Sequence, residues 1–343
     1  MTEGPENDSL ADAVRCPICK RVSAPIHPEN RAAIWDYGRV FENYSCANCE
    51  LIFCHPMPSD DEIRDIYTKR YDYEWFRRRA LLKRAQAIHR FQRLQQLWGE
   101  FGGDGRPRFI DIGCGHGWLV GCAQNAGWIS TGIDFLDDDQ VRLARCKGLD
   151  LRDSSIERFV APSEGYEFAS MWHSLEHTSD PRRILKAVGN LLGVNGLAVI
   201  AVPNRNAAGL AKAGSKWGWF QKPFIHPWCF SVRALKQLLP DNLRLELVSS
   251  RDTWDQQWVQ YSSVFQGTDS LMKWVFRWVC GALRRVGLNR MAGLADAGHF
   301  VLREGLLVMT YLGYLIVRRT PWIRDGYERQ CRASELLIVA RRV

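Results

Sequence analysis

The run Phe109-Ile-Asp-Ile-Gly-Cys-Gly-His-Gly117, continued by Trp118-Leu-Val120, decides the fold. Phe109 to Ile112 is a short apolar run of the kind that fills a central strand covered on both faces. Three glycines two residues apart follow it, and Trp118, Leu119 and Val120 then open a helical pattern. Strand, glycine turn and helix in that order form the context of a nucleotide-binding turn. The dinucleotide fingerprint G-x-G-x-x-G would need glycine at position 118, where this chain has Trp118, so the pattern is Asp-x-Gly-x-Gly-x-Gly instead. Downstream, strand-like runs recur at Trp128 to Asp134, Leu149 to Leu151, Phe168 to Trp172 and Leu197 to Val202. Ile184, Leu185, Val188, Leu191 and Leu192 stand at helical spacing before the last of these, and Gly193-Val-Asn-Gly196 reads as the turn between. This alternation predicts an α/β fold with a doubly wound parallel sheet.

A pyrophosphate needs a close backbone approach at the helix N-terminus, whereas S-adenosylmethionine has no phosphate and needs room beside the loop for its amino-acid end. Asp111, Gly113, Cys114, Gly115 and Gly117 suit the second case. On these residues the chain resembles the class I S-adenosylmethionine-dependent methyltransferases, whose seven-stranded sheet and cofactor loop the resemblance implies here. Trp128-Ile-Ser-Thr-Gly-Ile-Asp134 ends in a carboxylate one βα unit after the glycine turn, and the resemblance assigns Asp134 to the ribose hydroxyls. Asp137, Asp138 and Asp139 read as a solvated loop. The turn after Leu149-Asp-Leu-Arg-Asp-Ser-Ser-Ile156 places Ser155 and Ile156 at the positions that contact adenine in relatives.

Phe168-Ala-Ser-Met-Trp-His-Ser-Leu-Glu-His177 ends the fourth strand of the sheet, and residues just past it face the transferred methyl in such a fold. Trp172 falls on the cofactor side, and His173 is a candidate base because its pKa range suits proton removal near neutrality. Ubiquinone-pathway O-methyltransferases carry Glu-x-x-Glu-His here as a metal set. This chain writes His173, Glu176 and His177, which leaves open a metal site, a base at His173, or a structural pairing. A second histidine, His226, lies in Trp217-Gly-Trp-Phe-Gln-Lys-Pro-Phe-Ile-His-Pro-Trp-Cys-Phe-Ser231, where aromatic rings offer an acceptor pocket. Ser231 is placed to cap a helix over Val232 to Leu239.

Near the N-terminus, Cys16-Pro-Ile-Cys19 and Cys46-Ala-Asn-Cys49 form two C-x-x-C knuckles separated by 26 residues. Four thiolates at Cys16, Cys19, Cys46 and Cys49 suit one tetrahedral structural zinc ion in a small ribbon. The continuation through Leu51 to Ser59 resembles a methyltransferase branch with an N-terminal zinc ribbon.

The chain has 343 residues, 11 cysteines and a formal net charge of +8. The expected layout is a polar, disordered tail over 1–13, a zinc ribbon over 14–58 and a helical linker over 59–105. A methyltransferase domain follows over 106–252 plus 333–343, with a helical insertion over 253–332 before the last strand. Residues 271–324 carry nine basic side chains against Asp296 and Glu304, net +7, so the basicity is local. Interleaved tryptophans and aliphatics there suggest a peripheral membrane surface as one partner, and a lid or dimer face as the alternative. The apolar run Gly305 to Val317 is too short to span a bilayer. The opening Met1-Thr-Glu-Gly-Pro-Glu shows no secretory pattern, which with the metal-spaced cysteines points to a reducing cytoplasm. The expected reaction is O-methylation of a small-molecule acceptor, a sugar, quinone or lipid-linked metabolite. The alternatives are sugar C-methylation, RNA methylation, which the interleaved charge disfavours, and a non-catalytic cofactor-binding scaffold.

Overall fold

The computed structural model describes residues 13–26, 32–34, 38–69, 80–207, 210–211, 214, 222–251 and 335–343. The chain divides into two compact units, one of Met1–Arg205, Lys222–Ser249 and Leu336–Val343, the other of Asn206–Gln221 and Ser250–Glu335. The proposed insertion, including the basic stretch 271–324, lies outside the described residues. Among the described residues no helix is long and apolar enough to cross a membrane.

The described residues form twelve strands: β1 Ala24–Pro25, β2 Ala32–Ile34, β3 Arg39–Ser45, β4 Ile52–His55, β5 Arg108–Ile112, β6 Ile129–Asp134, β7 Asp150–Asp153, β8 Tyr166–Trp172, β9 Leu192–Pro203, β10 Trp228–Cys229, β11 Leu243–Arg251 and β12 Glu335–Arg342. The helices are α1 Asp60–Lys69, α2 Ala80–Leu97, α3 Trp118–Asn125, α4 Asp138–Cys146, α5 Pro181–Leu191 and α6 Val232–Leu238. Seven strands form one sheet in the order β11-β12-β9-β8-β5-β6-β7. The pairs β5–β6, β5–β8, β6–β7 and β8–β9 are all parallel. The chain leaves β5 for β6 and β7, then returns to β8 on the other side of β5. That reversal opens a crevice beyond the C-terminal ends of β5 and β8, where doubly wound sheets bind ligands.

The central strands are apolar on both faces, and their period of two sorts them into two cores. Ile110, Ile112, Met171, Ile200 and Ile338 belong to one, Phe109, Phe168, Trp172, Val199 and Val339 to the other. The second core is closed by Phe91, Leu94 and Leu97 of α2 and by Leu119 and Ala123 of α3. The first is closed by α5 and α6 and also by Cys16, Cys46, Cys49, Leu51 and Phe53, so the cysteine knuckles share a core with the large sheet. Each fully buried Phe or Leu contributes about 1.5–3 kcal/mol, which makes this shared core a firm attachment.

The knuckles stand in a second sheet, ordered β1-β3-β4-β10 with β2 on β3. Strand β10 comes from far along the chain and pairs antiparallel with β4, Trp228 opposite Phe53 and Cys229 opposite Ile52. Helix α1 starts with a capping box: the Ser59 N–H donates to Glu62 Oε2 at 2.7 Å, and the Glu62 N–H donates to Ser59 Oγ at 3.2 Å. Arg39 of β3 donates to the same carboxylate at 2.7 Å, which ties α1 to the ribbon sheet. Helix α5 is capped by Asp180, which accepts from Arg182 N and Arg183 N, and opens on Pro181.

One local expectation is corrected. Residues Gly193–Gly196 do not precede the strand: β9 begins at Leu192 and carries them as a bulge, with Leu192 opposite Tyr166 and Leu197 opposite Phe168. Asn195 at φ 64° and a register shift between Tyr166 and Phe168 absorb the irregularity. A side chain at Gly193 would begin 2.4 Å from the Glu164 carbonyl, so glycine serves close strand approach there.

Candidate active site

The glycine turn takes the shape its residues permit. Gly113, Gly115 and Gly117 all have positive φ, at 75°, 52° and 71°, where side chains are costly. A Cβ on Gly113 would sit 2.1 Å from Ser174 Oγ, because the ends of β5 and β8 abut. A Cβ on Gly117 would sit 2.7 Å from Leu151. At Gly115, by contrast, nothing lies within 4 Å of that point. The bare loop therefore borders open space at the head of β5, as a cofactor cradle requires.

Asp134 closes the other side of this space. Its Oδ2 accepts the Gly115 N–H at 2.7 Å and its Oδ1 accepts the Phe135 N–H at 2.7 Å. Burial pushes its carboxyl above the usual range, against those two backbone donors. The carboxylate thus shapes the glycine turn, and each oxygen keeps a second lone pair for a ligand. The Ser154 N–H donates to the Asp134 carbonyl at 3.1 Å, which sets the turn carrying Ser155 and the buried Ile156 beside it.

The other cofactor candidates separate by direction. Asp111 is buried and accepts the Ser170 hydroxyl at 2.6 Å. Burial pushes its carboxyl up to about 7, opposed by that hydroxyl and by Arg90. Cys114 packs with Val120, Leu136 and Leu151, so its side chain serves the core and only its backbone faces the turn. Trp172 is buried, with the Arg90 guanidinium 5.2 Å from its ring centroid. Its indole N–H is buried with no hydrogen-bond partner among the described residues.

Beyond β8, the histidines form a chain of contacts. His173 holds φ 51°, a left-handed conformation uncommon outside glycine, and its N–H donates to the Ala201 carbonyl at 2.9 Å. Such a residue costs about 1–3 kcal/mol unless its surroundings fix it. His173 Nδ1 lies 3.2 Å from Glu176 Oε1. Glu176 is fully buried, and its Oε2 has no hydrogen-bond partner among the described residues. His177 Nε2 stands 3.9 Å from the same Glu176 oxygen, while its Nδ1 lies 2.6 Å from the Ile225 carbonyl. A carbonyl only accepts, so His177 carries its proton on Nδ1. The His177 and His226 rings are 4.8 Å apart, and Tyr67 of α1 meets His177 edge-on at 5.5 Å. Burial lowers the pKa of both His177 and His226, His226 strongly, with the neighbouring histidines adding to that shift. The structure therefore brings His173 and His226 together through Glu176 and His177, two residues outside the proposed catalytic pair. The i, i+3 spacing of His173 and Glu176 is the sequence signal for the first link, and nothing local signals the second.

The four cysteines converge. Their sulfurs all lie within 4.8 Å of one another, with Cys16–Cys49 at 3.5 Å and Cys19–Cys46 at 3.4 Å. Sulfurs around one tetrahedral ion at about 2.3 Å stand roughly 3.8 Å apart, so the set is shaped for a metal. Among the described residues it is the one group of three or more potential ligands so arranged. His173, Glu176 and His177 do not surround a common point in this way.

Comparison with known proteins agrees with this geometry. Residues 76–249 match the family described as "Methyltransferase domain". A ubiquinone biosynthesis O-methyltransferase of Caulobacter sp. (strain K31) is 31% identical over 178 residues, 47% of this chain and 64% of that protein. The namesake from Bordetella avium (strain 197N) is 30% identical over 141 residues, 38% of this chain and 57% of its own length. The chain thus spans less than two thirds of the curated relatives it matches. Among solved structures, the plantazolicin methyltransferase BpumL in complex with SAH aligns at a TM-score of 0.46 and 13% identity, over 82% of this chain and 93% of that one. With a family match over half its length, a seven-stranded sheet in the order described and an open glycine cradle, the chain belongs to the class I S-adenosylmethionine-dependent methyltransferases.

Proposed function

We propose that this protein moves a methyl group from S-adenosylmethionine to a hydroxyl oxygen of a small-molecule acceptor, a sugar, a quinone or a lipid-linked metabolite. The single observation carrying the catalytic reading is the buried Glu176 carboxylate beside His173 at the open end of β8. The relatives named as ubiquinone biosynthesis O-methyltransferases support oxygen as the methylated atom.

When bound, S-adenosylmethionine supplies an electrophilic methyl on a sulfonium sulfur. Gly113, Gly115 and Gly117 give its methionine end a bare backbone surface, with Asp111, Cys114 and Trp172 behind them. Asp134 takes the ribose hydroxyls with the lone pairs its backbone donors leave, and Ser155 and Ile156 border the adenine. Glu176 accepts the His173 Nδ1–H and so places the lone pair on Nε2. His173 then removes the acceptor proton as the new carbon–oxygen bond forms and the carbon–sulfur bond breaks. His226 forms the acceptor wall, backed by Trp228 and Phe230 in the core beneath it. Zinc at Cys16, Cys19, Cys46 and Cys49 is structural in this reading.

The test begins with the cofactor. Calorimetric titration of zinc-loaded protein with S-adenosylmethionine and with nicotinamide dinucleotides is expected to show binding of the first alone. An acceptor screen scored by S-adenosylhomocysteine release follows, with and without liposomes. Absence of S-adenosylmethionine binding overturns the enzyme reading and favours a scaffold.

A further inference from the structure

We propose that the four-cysteine centre positions the acceptor wall, so that metal occupancy there controls the segment carrying His226 while leaving the cofactor half intact. This rests on the metal reading of the cysteines given above.

The segment 222–231 is strung between two anchors. On one side stands the cysteine module. The Cys54 N–H donates to the Pro227 carbonyl at 2.8 Å, and β10 pairs with β4 immediately after the second knuckle. Ser231 Oγ donates to the carbonyl of Cys49, one of the four converging cysteines, at 2.6 Å. Arg233 donates to the Asn48 carbonyl inside the same knuckle at 2.7 Å. On the other side stands the catalytic loop. His177 Nδ1 donates to the Ile225 carbonyl at 2.6 Å, and Trp228 Nε1 donates to the Thr178 carbonyl at 2.5 Å. The knuckle therefore grips the far end of the segment whose near end orients His177 and sets the tilted His226 ring against it.

The cofactor half is built differently. Gly113 and Cys114 donate to the Ile133 carbonyl and Gly115 to Asp134, all within β5, β6 and their turns. The knuckles meet β5 through the apolar core they share with Ile110 and Ile112, whereas the backbone N–H groups of Gly113, Cys114 and Gly115 are all held by Ile133 and Asp134 of β6. Without the ion the two knuckles lose the bonds that tie them to each other, and four thiol groups must be satisfied instead. The carbonyls of Asn48 and Cys49 then lose their fixed positions, and Ser231 and Arg233 lose their acceptors. Ser231 also caps α6 through the Ala234 N–H at 2.9 Å, so the start of that helix shares the effect. The metal thus acts on the acceptor side as a positioning device.

The experiment is amide hydrogen exchange on the full chain, metal-loaded and after treatment with a strong chelator. Bound metal is counted by atomic absorption, and S-adenosylmethionine affinity is measured on both forms. Metal loss is expected to speed exchange in 48–54 and 225–235 by about tenfold or more. Protection of 109–117 and 129–134 is expected to persist, with the cofactor Kd moving less than about twofold. Arg233→Ala in the metal-loaded protein is expected to loosen 225–235 alone, by about three- to tenfold. Unchanged exchange in 225–235 on metal loss overturns the proposal, and so does equal loosening of 109–117, which marks a general scaffold. A purified protein with no metal at the cysteines marks failure of the metal reading instead.

Discussion

Asp134→Asn tests the structure most directly, because it needs no acceptor. Each Asp134 oxygen accepts one backbone N–H at 2.7 Å, from Gly115 and from Phe135. Asparagine offers one carbonyl oxygen and one NH2 group, so in either rotamer a backbone donor faces a donor. A hydrogen bond to a charged group is worth about 1.5–3 kcal/mol, and relief from burying the carboxylate returns part of that. The expected net loss is about 2 kcal/mol of stability before any cofactor is added. With a urea slope of about 3 kcal/mol/M, the midpoint falls by about 0.7 M. Tryptophan fluorescence reports it, since Trp118 opens the helix that follows the turn and Trp172 ends the neighbouring strand β8. The released Gly115 N–H also lets the cradle relax, so the Kd for S-adenosylmethionine rises by about tenfold or more. Equal urea midpoints for variant and parent without cofactor refute the claim that Asp134 shapes the turn. Weaker cofactor binding at an unchanged midpoint leaves Asp134 as a ligand contact only.

Asp111→Asn flattens the pH dependence of stability. The folded carboxyl is pushed up to about 7 from 3.8, so between those values the folded state holds a proton that the unfolded chain releases. Stability therefore falls as pH rises through that window, by at most about 4 kcal/mol, and parallel urea-midpoint profiles for the two proteins contradict the assignment. Gly113→Ala costs about 1–2 kcal/mol for its left-handed backbone and about 1–3 kcal/mol more for the clash with Ser174 Oγ. Adding Ser174→Gly returns only the second part, and full recovery by thermal denaturation shows that backbone strain there is negligible. Glu176→Gln lowers turnover about 10- to 100-fold by weakening the hold on His173, while the fold survives because a buried carboxylate with one unpartnered oxygen is removed. An unchanged rate of S-adenosylhomocysteine release speaks against the His173–Glu176 pairing.

The sequence carried its local features well. Phe109 to Gly117 disclosed strand, turn and helix because glycine spacing and an apolar run are both short-range signals. The Cys16 to Cys49 set was readable for the same reason, since two-residue spacers already bring each sulfur pair together. Ser231 announced its helix cap. What stayed hidden was long-range. The Asp134 contact with Gly115 spans 19 residues and the Ser231 contact with Cys49 spans 182, and neither leaves a periodic trace. The burial of Cys114 was hidden too, because a residue between two cradle glycines reads as a site residue until Gly132 and Leu151 are seen beneath it. Glycine at 193 and 196 suggested a turn, yet those residues serve a strand packed close on its neighbour.

Pairing of β4 with β10 also sets a timetable for synthesis. Ser231 follows Cys49 by 182 residues, so at about 5–20 residues per second the ribosome delivers it some 9–36 s after the second knuckle. Throughout that interval the edge of β4 has no partner strand, and an open edge invites pairing with another chain. The cysteines are complete by residue 49, so the ion can be captured at the beginning of the wait, and metal supply during translation then bears on how much of this protein reaches its folded form.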